Sequence, residues 1–210
     1  ISEESEGAYP DTLFETLPGS LERRIKEYSF FDYRVNEALH MTAEEHDTLV
    51  SLMRQMRDEL GKKTDELQNR ILVGYIELML NFCQRFYNRQ FLTRKIENSD
   101  ILIRFDRLLR DYFDEKFQLK LGLPTVQYCA DRLCMSANYF GDVIKKTTGE
   151  TASSHIRRFV IRLAKNGLAA GESVSQVSDR LGFEYPQHFS RMFRKMEGLT
   201  PSEYCRNLRS

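Results

Sequence analysis

No stretch of this 210-residue sequence approaches the ~18 consecutive apolar residues that a membrane-spanning helix needs. The start does not resemble a secretory leader, because Ile1 is followed at once by Glu3, Glu4 and Glu6. With no initial Met, the chain is expected to be a fragment of something longer. Cysteine is sparse: Cys83, Cys129, Cys134 and Cys205 form no C-x-x-C pair. Four scattered thiols and four scattered histidines lack the spacing of zinc ligands or of a disulfide framework. Cys83 and Cys129 fall within apolar helical patterns, as core thiols of a protein in the reducing cytoplasm would. The sequence also lacks H-E-x-x-H, G-x-S-x-G, the P-loop and G-x-G-x-x-G. Catalysis, a metal site and a cofactor are therefore not expected.

The composition is that of an ordinary soluble protein, 30% charged and 41% hydrophobic, and its length allows one or two domains. A net charge of zero hides an asymmetry. Residues 1–122 carry 18 Lys/Arg against 23 Asp/Glu, and residues 123–210 carry 13 against 8. The positive charge that a polyanion would attract lies in the second part.

Residues 1–20 are polar, with Pro10, Pro18 and Gly19, and read as extended or loose. The aromatic run at 28–35 (YSFFDYRV) has the composition of a single strand or the remnant of a sheet. Beyond it the signals are helical. Thr42 and Glu45 form a capping-box pattern ahead of Leu49, Leu52, Met53, Met56 and Leu60, and Gly61 closes that helix. A second helix is predicted from about 65 to 89. Its apolar set, from Ile71 to Tyr87, is wider than one face and fits either a central bundle helix or a subunit interface. Ser99 is a candidate cap for a third helix bearing Ile101, Phe105, Leu108, Leu109, Tyr112 and Phe113, and Gly122 and Pro124 mark the next boundary.

The most informative feature is an internal repeat. Residues 125–156 (TVQYCADRLCMSANYFGDVIKKTTGETASSHI) align with 173–205 (SVSQVSDRLGFEYPQHFSRMFRKMEGLTPSEYC) at an offset of 48, rising to 49 after one extra residue in the second turn. Asp131/Asp179, Arg132/Arg180, Leu133/Leu181, Phe140/Phe189, Lys146/Lys195, Gly149/Gly198 and Thr151/Thr200 are among the identities. Each copy has the order of a helix-turn-helix. A hydroxyl, Thr125 or Ser173, caps a short helix, and a turn follows with Gly182 suited to left-handed backbone in the second copy. Pro186 fits the first turn of the next helix.

The second helix of each copy splits by face. Phe140, Val143 and Ile144, or Phe189, Met192 and Phe193, form the inner side. The outer side offers Asn138, Tyr139, Asp142, Lys145 and Lys146, or Gln187, His188, Arg191, Arg194 and Lys195. Amides and cations so arranged can meet base edges and phosphates in a major groove. A helix at about 152–169 links the copies, and its ~27 Å length suits reading helices held about one DNA turn (~34 Å) apart. Gly167 and Gly171 would loosen its end. Asp131 and Asp179 read as structural ion-pair partners of a nearby Arg.

Residues 123–210 resemble the DNA-binding domain of the AraC/XylS family of bacterial regulators. The most specific stretch is Gly182-Phe183-x-x-x-Gln187-His188-Phe189-Ser190-Arg191-x-Phe193-Arg194-Lys195, followed by Gly198-x-Thr200-Pro201-x-x-Tyr204. The resemblance implies two helix-turn-helix units joined by a long helix and bound to two successive major grooves. It also implies helices that dimerise, with residues 38–117 in that place. Family members usually carry a ligand-sensing β-barrel ahead of these helices, and residues 28–35 would be the end of one otherwise missing. One departure stands out: Asp142 occupies a position in the first reading helix where the family commonly has a basic residue. A carboxylate there can accept from cytosine N4 but repels phosphate.

The expected architecture is all-α: a loose segment at 1–37, a helical connector and dimerisation bundle at 38–121, and an AraC-type DNA-binding domain at 122–210, with units at about 125–149 and 173–198. The expected function is sequence-specific regulation of transcription. The expected DNA contacts are Asn138, Tyr139, Lys145, Lys146, Gln187, His188, Arg191, Arg194 and Lys195. Double-stranded DNA, a second copy of the chain and RNA polymerase are the partners such a regulator would have. The alternative is a helical protein-interaction module without DNA readout.

Overall fold

The computed structural model describes residues 25–93 and 95–208, with only the backbone of 95–97. The predicted loose stretch at 1–20 lies outside them. Among the described residues there are ten α-helices and no strand. They are α1 (Ala43–Leu60), α2 (Gln68–Thr93), α3 (Lys95–Asp114), α4 (Gln118–Leu121), α5 (Val126–Arg132), α6 (Ala137–Thr148), α7 (Ala152–Ala169), α8 (Val174–Arg180), α9 (Pro186–Glu197) and α10 (Pro201–Asn207). The chain forms two compact units. One comprises residues up to Phe31 together with Ala38–Gln90; the other comprises Asp32–Glu37 together with Phe91–Ser210.

In the first unit, α1 starts with the capping box read from the sequence. Thr42 Oγ1 accepts from the Glu45 amide at 3.2 Å, and the Glu45 carboxylate accepts from the Thr42 amide at 2.9 Å. Arg89 clamps the same carboxylate at 2.6 Å and donates to the His40 carbonyl, joining α2 to the entry of α1. Asp65 caps α2 by accepting from the amides of Leu67 and Gln68. Gln90 is fully buried, its oxygen accepting from the His40 amide at 2.8 Å. Leu52, Leu72, Leu80, Phe86 and Tyr87 are buried, while Met53, Leu60, Leu67, Ile71 and Leu78 are exposed.

The aromatic run at 28–35 forms short 3-10 turns, Ser29–Asp32 and Val35–Glu37, and not the predicted strand. A strand needs a neighbour for its backbone hydrogen bonds, and the run has none among the described residues. Local bonds replace the ladder, such as that from the Glu37 amide to the Arg34 carbonyl at 2.8 Å. The side chains then pack individually, Phe30 stacking on Tyr87 at 5.4 Å.

Ser99, predicted to cap the third helix, lies inside α3, which begins at Lys95. Asn98 explains the earlier start: its buried amide donates to the Phe91 carbonyl at 2.7 Å and satisfies the end of α2. The unit that holds both helix-turn-helix motifs thus reaches back beyond the boundary predicted at 121/122. Phe105 of α3 lies edge-on to Phe140 of α6 at 4.9 Å, and both are fully buried. His155 at the start of α7 bonds Asp106 of α3 at 2.7 Å.

The linker α7 has the predicted bounds of 152–169, with Thr151 as its cap. It packs against α6 and against α8, α9 and α10, with Lys165 bonded to Glu197 of α9 at 2.8 Å. Gly167 is buried, and a Cβ there would lie 2.3 Å from the Arg180 guanidinium, which is paired with Glu172. Glycine leaves room for that ion pair to cross the helix.

Candidate nucleic-acid interface

Both helix-turn-helix motifs are built as the repeat predicts, from the same parts. Thr125 Oγ1 accepts from the Tyr128 amide to start α5, and Ser173 forms a full capping box with Gln176 to start α8. Gly149 and Gly198 end the reading helices α6 and α9 in the left-handed region, each at φ 80°. The turns also require left-handed backbone, supplied by Gly182 at φ 79° and, at the matching position of the first copy, by Cys134 at φ 61°. Gly182 meets a second constraint, because a Cβ there would lie 2.3 Å from the Gln118 carbonyl oxygen. The same Gln118 is buried and donates to the Arg180 carbonyl, holding α4 against the second motif.

The inner faces are closed. Phe140, Val143, Ile144, Phe189 and Phe193 are all fully buried. Phe193 lies edge-on to Tyr204 at 5.5 Å, and Lys165 sits over the Tyr204 ring. Several residues of the signature stretch are therefore scaffold. Thr200 caps α10 through Glu203, whose carboxyl is held below the ordinary range by the Thr200 amide and hydroxyl, with Arg194 and Arg206 adding to the effect.

On α9 the outer face is open. Gln187, His188, Arg191, Arg194 and Lys195 are all exposed. Among the described residues none of the three cations on this face is in an ion pair. His188 rests edge-on against exposed Tyr185. The helix enters through Pro186 without a side-chain cap, and the His188 amide donates to the Tyr185 carbonyl at 3.0 Å.

The corresponding face of α6 is occupied. Lys145 and Lys146 are exposed. The Asn138 amide, however, donates to Asp32 at 2.6 Å, and Asp142 accepts from the Tyr33 hydroxyl at 2.6 Å. Tyr139, predicted on the reading face, is only 7% exposed, packed edge-on against Tyr33 at 5.2 Å and against Phe91 at 5.4 Å. Tyr33, between the two 3-10 turns, and Phe91 cover its ring. Glu37 is buried, and its carboxylate accepts from the Ser136 amide at 2.6 Å and hydroxyl at 2.5 Å, at the N-cap of α6. Arg34 pairs with Asp131 at 2.9 Å, the ion pair expected of that aspartate. Exposed Asp179 has no such pair among the described residues, because the neighbouring Arg180 turns to Glu172. Asp32, Tyr33, Arg34 and Glu37 were not legible as neighbours of the motif, since no periodicity connects them to a helix about 100 residues later.

Cys129 is fully buried, and burial pushes its thiol up to about 12; Cys134 is exposed. Among the described residues no group of three or more His, Cys, Asp or Glu could hold a metal ion, and no helix is long and apolar enough to cross a membrane.

Residues 129–207 match the protein family described as "Helix-turn-helix domain". The chain is 31% identical over 117 residues to the transcriptional regulatory protein YesN of Bacillus subtilis, covering 53% of this chain and 30% of that protein. It is 32% identical over 96 residues to the HTH-type transcriptional regulator YtdP of the same organism, of which it spans only 12%. Against the HTH-type transcriptional regulator YijO of Escherichia coli, identity is 26% over 204 residues, or 96% of this chain and 68% of that protein. Among solved structures, the C-terminal domain of AraT, a response regulator from Geobacillus stearothermophilus, aligns at a TM-score of 0.41 and 24% identity over 49% of this chain and 84% of that one. The chain thus spans less than a third of the first two relatives. Residues 129–207 thus form a helix-turn-helix domain similar to those of HTH-type transcriptional regulators.

Proposed function

We propose that the chain reads specific double-stranded DNA with α6 and α9 in successive major grooves, and that α9 supplies most of the affinity. The observation that carries this reading is the outer face of α9: an amide, an imidazole and three exposed cations that form no ion pair among the described residues on one side, with Phe189 and Phe193 buried on the other. Gln187 and His188 lie at the N-terminal end, where a reading helix meets base edges, and Arg194 and Lys195 lie further along, where phosphates run. An 18-residue α7, about 27 Å long, packs on both motifs and suits reading helices held about one DNA turn (~34 Å) apart. Binding measured by gel shift should fall steeply with salt. Salt-independent binding contradicts the reading.

The same reading includes the contact set Asn138, Lys145, Lys146, Gln187, His188, Arg191, Arg194 and Lys195, with buried Tyr139 packed behind it. The division into a connector at 38–121 and a DNA-binding domain at 122–210, the cytoplasm as compartment, and RNA polymerase as a partner also belong to it. The connector's occupant is a second copy of the chain. Met53 and Leu60, and likewise Ile71 and Leu78, are exposed at heptad spacing, the pattern of a helical seam. Light scattering at micromolar concentration should give a dimer, and a persistent monomer removes this part of the proposal.

A further inference from the structure

The first reading helix is covered by a segment remote from it in sequence. Asp32–Glu37 belongs to the compact unit of the two motifs, although the residues before and after it belong to the other unit. Four of its six residues engage the first motif: Asp32 on Asn138, Tyr33 on Asp142 and Tyr139, Arg34 on Asp131, and Glu37 on Ser136. Asn138 and Asp142 are one turn apart on one face of α6, so Asp32 and Tyr33 lie along the face that would enter a groove.

A helix with its side chains is about 10–12 Å across and already fills a major groove about 12 Å wide. A second segment on the same face leaves no room for base pairs. The Asp32 carboxylate also takes the amide hydrogen that a base edge would use, and its charge repels phosphate. Asp142, out of place on a DNA-reading face, has a partner here, since its carboxylate accepts from Tyr33.

We propose that Asp32–Glu37 is a displaceable strap that closes the first reading helix in the absence of DNA, making the first motif the gated part of the interface. Glu37, buried at the N-cap of α6, is its anchor; Asp32 and Tyr33 are its releasable latch. Because the chain runs from both ends of the strap into the other unit, an event there can reach the first motif through six residues. The proposal rests on the DNA-reading function above.

Two measurements on the full chain test it, using a duplex selected by the wild type from random DNA. In the first, Asp32→Ala combined with Tyr33→Phe should bind that duplex roughly three- to ten-fold more tightly, in keeping with the loss of two modest polar contacts that DNA would otherwise displace. On a duplex with the half-site of α6 scrambled, the double variant and wild type should bind alike. In the second, hydrogen exchange of wild-type amides at 32–37 should quicken on saturation with the selected duplex. Equal or weaker binding by the double variant on the intact site, or unchanged exchange at 32–37 in a bound complex, overturns the strap while leaving the DNA reader standing. A wild type that binds no duplex overturns both.

Discussion

The two helix-turn-helix motifs carry the same construction and present opposite surfaces. Each has a hydroxyl-capped first helix, a left-handed turn residue, a second helix with a closed aromatic inner face, and a left-handed glycine at its end. They differ at three places. The left-handed turn position is Cys134 in one and Gly182 in the other. The reading helix is capped by Ser136 and Glu37 in one, and enters bare through Pro186 in the other. The outer face is covered around Asp142 in one, and open around Arg191 in the other. The scaffold of such a motif is therefore set by a few backbone and core positions, which leaves the outer face free to be a contact surface or a regulated one.

The largest expected effect breaks the scaffold of the second motif. Gly182→Ala places a Cβ on left-handed backbone and against the Gln118 carbonyl, where neither the turn nor α4 can yield cheaply. A loss of about 3 kcal/mol is expected, from left-handed strain and overpacking together. Thermal unfolding followed by circular dichroism checks it, and an unchanged midpoint would show that the turn relaxes. Next in size is Arg191→Ala, which should weaken binding to a good site by about 1–3 kcal/mol with no change in stability. If Arg191 meets a phosphate, the loss is uniform across sequences and the salt slope shrinks by about one.

Cys134→Gly applies the turn comparison in the opposite direction. It relieves a side chain held at φ 61° and should stabilise the first motif by about 1 kcal/mol, visible as a higher unfolding midpoint. The smallest change in binding is expected from Asp142→Arg, which removes a repulsion from the outer face of α6, releases Tyr33 and adds a phosphate partner. Non-specific binding at low salt should strengthen modestly; weaker binding would mean that this face does not meet DNA. The thiols give a further check. A reagent specific for thiolates should modify exposed Cys134 well before Cys129, whose thiol is buried and pushed up to about 12 by that burial.

Much of this was legible in the sequence, for identifiable reasons. Caps such as Thr42, Thr125 and Ser173 act within three or four residues, so their sequence signature and their structure coincide. The repeat fixed both motifs and the bounds of α7, because each copy must bury the same face. What could not be read was long-range. The aromatic run at 28–35 has strand composition, but its partners are α2 and α6, and only those partners decide that it forms 3-10 turns. Tyr139 occupies a reading-face position by helical spacing, yet its neighbours Tyr33 and Phe91 bury it. Gly167 reads as a helix weakener, while the side-chain ends that lie closest to it, of Glu172 and Arg180, come from beyond the end of the helix. Gly182 reads as a turn residue, but its close approach to Gln118 involves a residue 64 positions earlier and leaves no local signal.

The most direct test of the two-motif division is a hydroxyl-radical footprint of the wild type, titrated onto a duplex it has selected from random DNA. Two protected patches should appear on one face of the duplex, about 10 base pairs apart. One should form at lower protein concentration and be the patch lost in Arg191→Ala, since α9 is open and α6 is covered. A single patch at saturation, or two patches that fill together and respond equally to Arg191→Ala, would contradict the account.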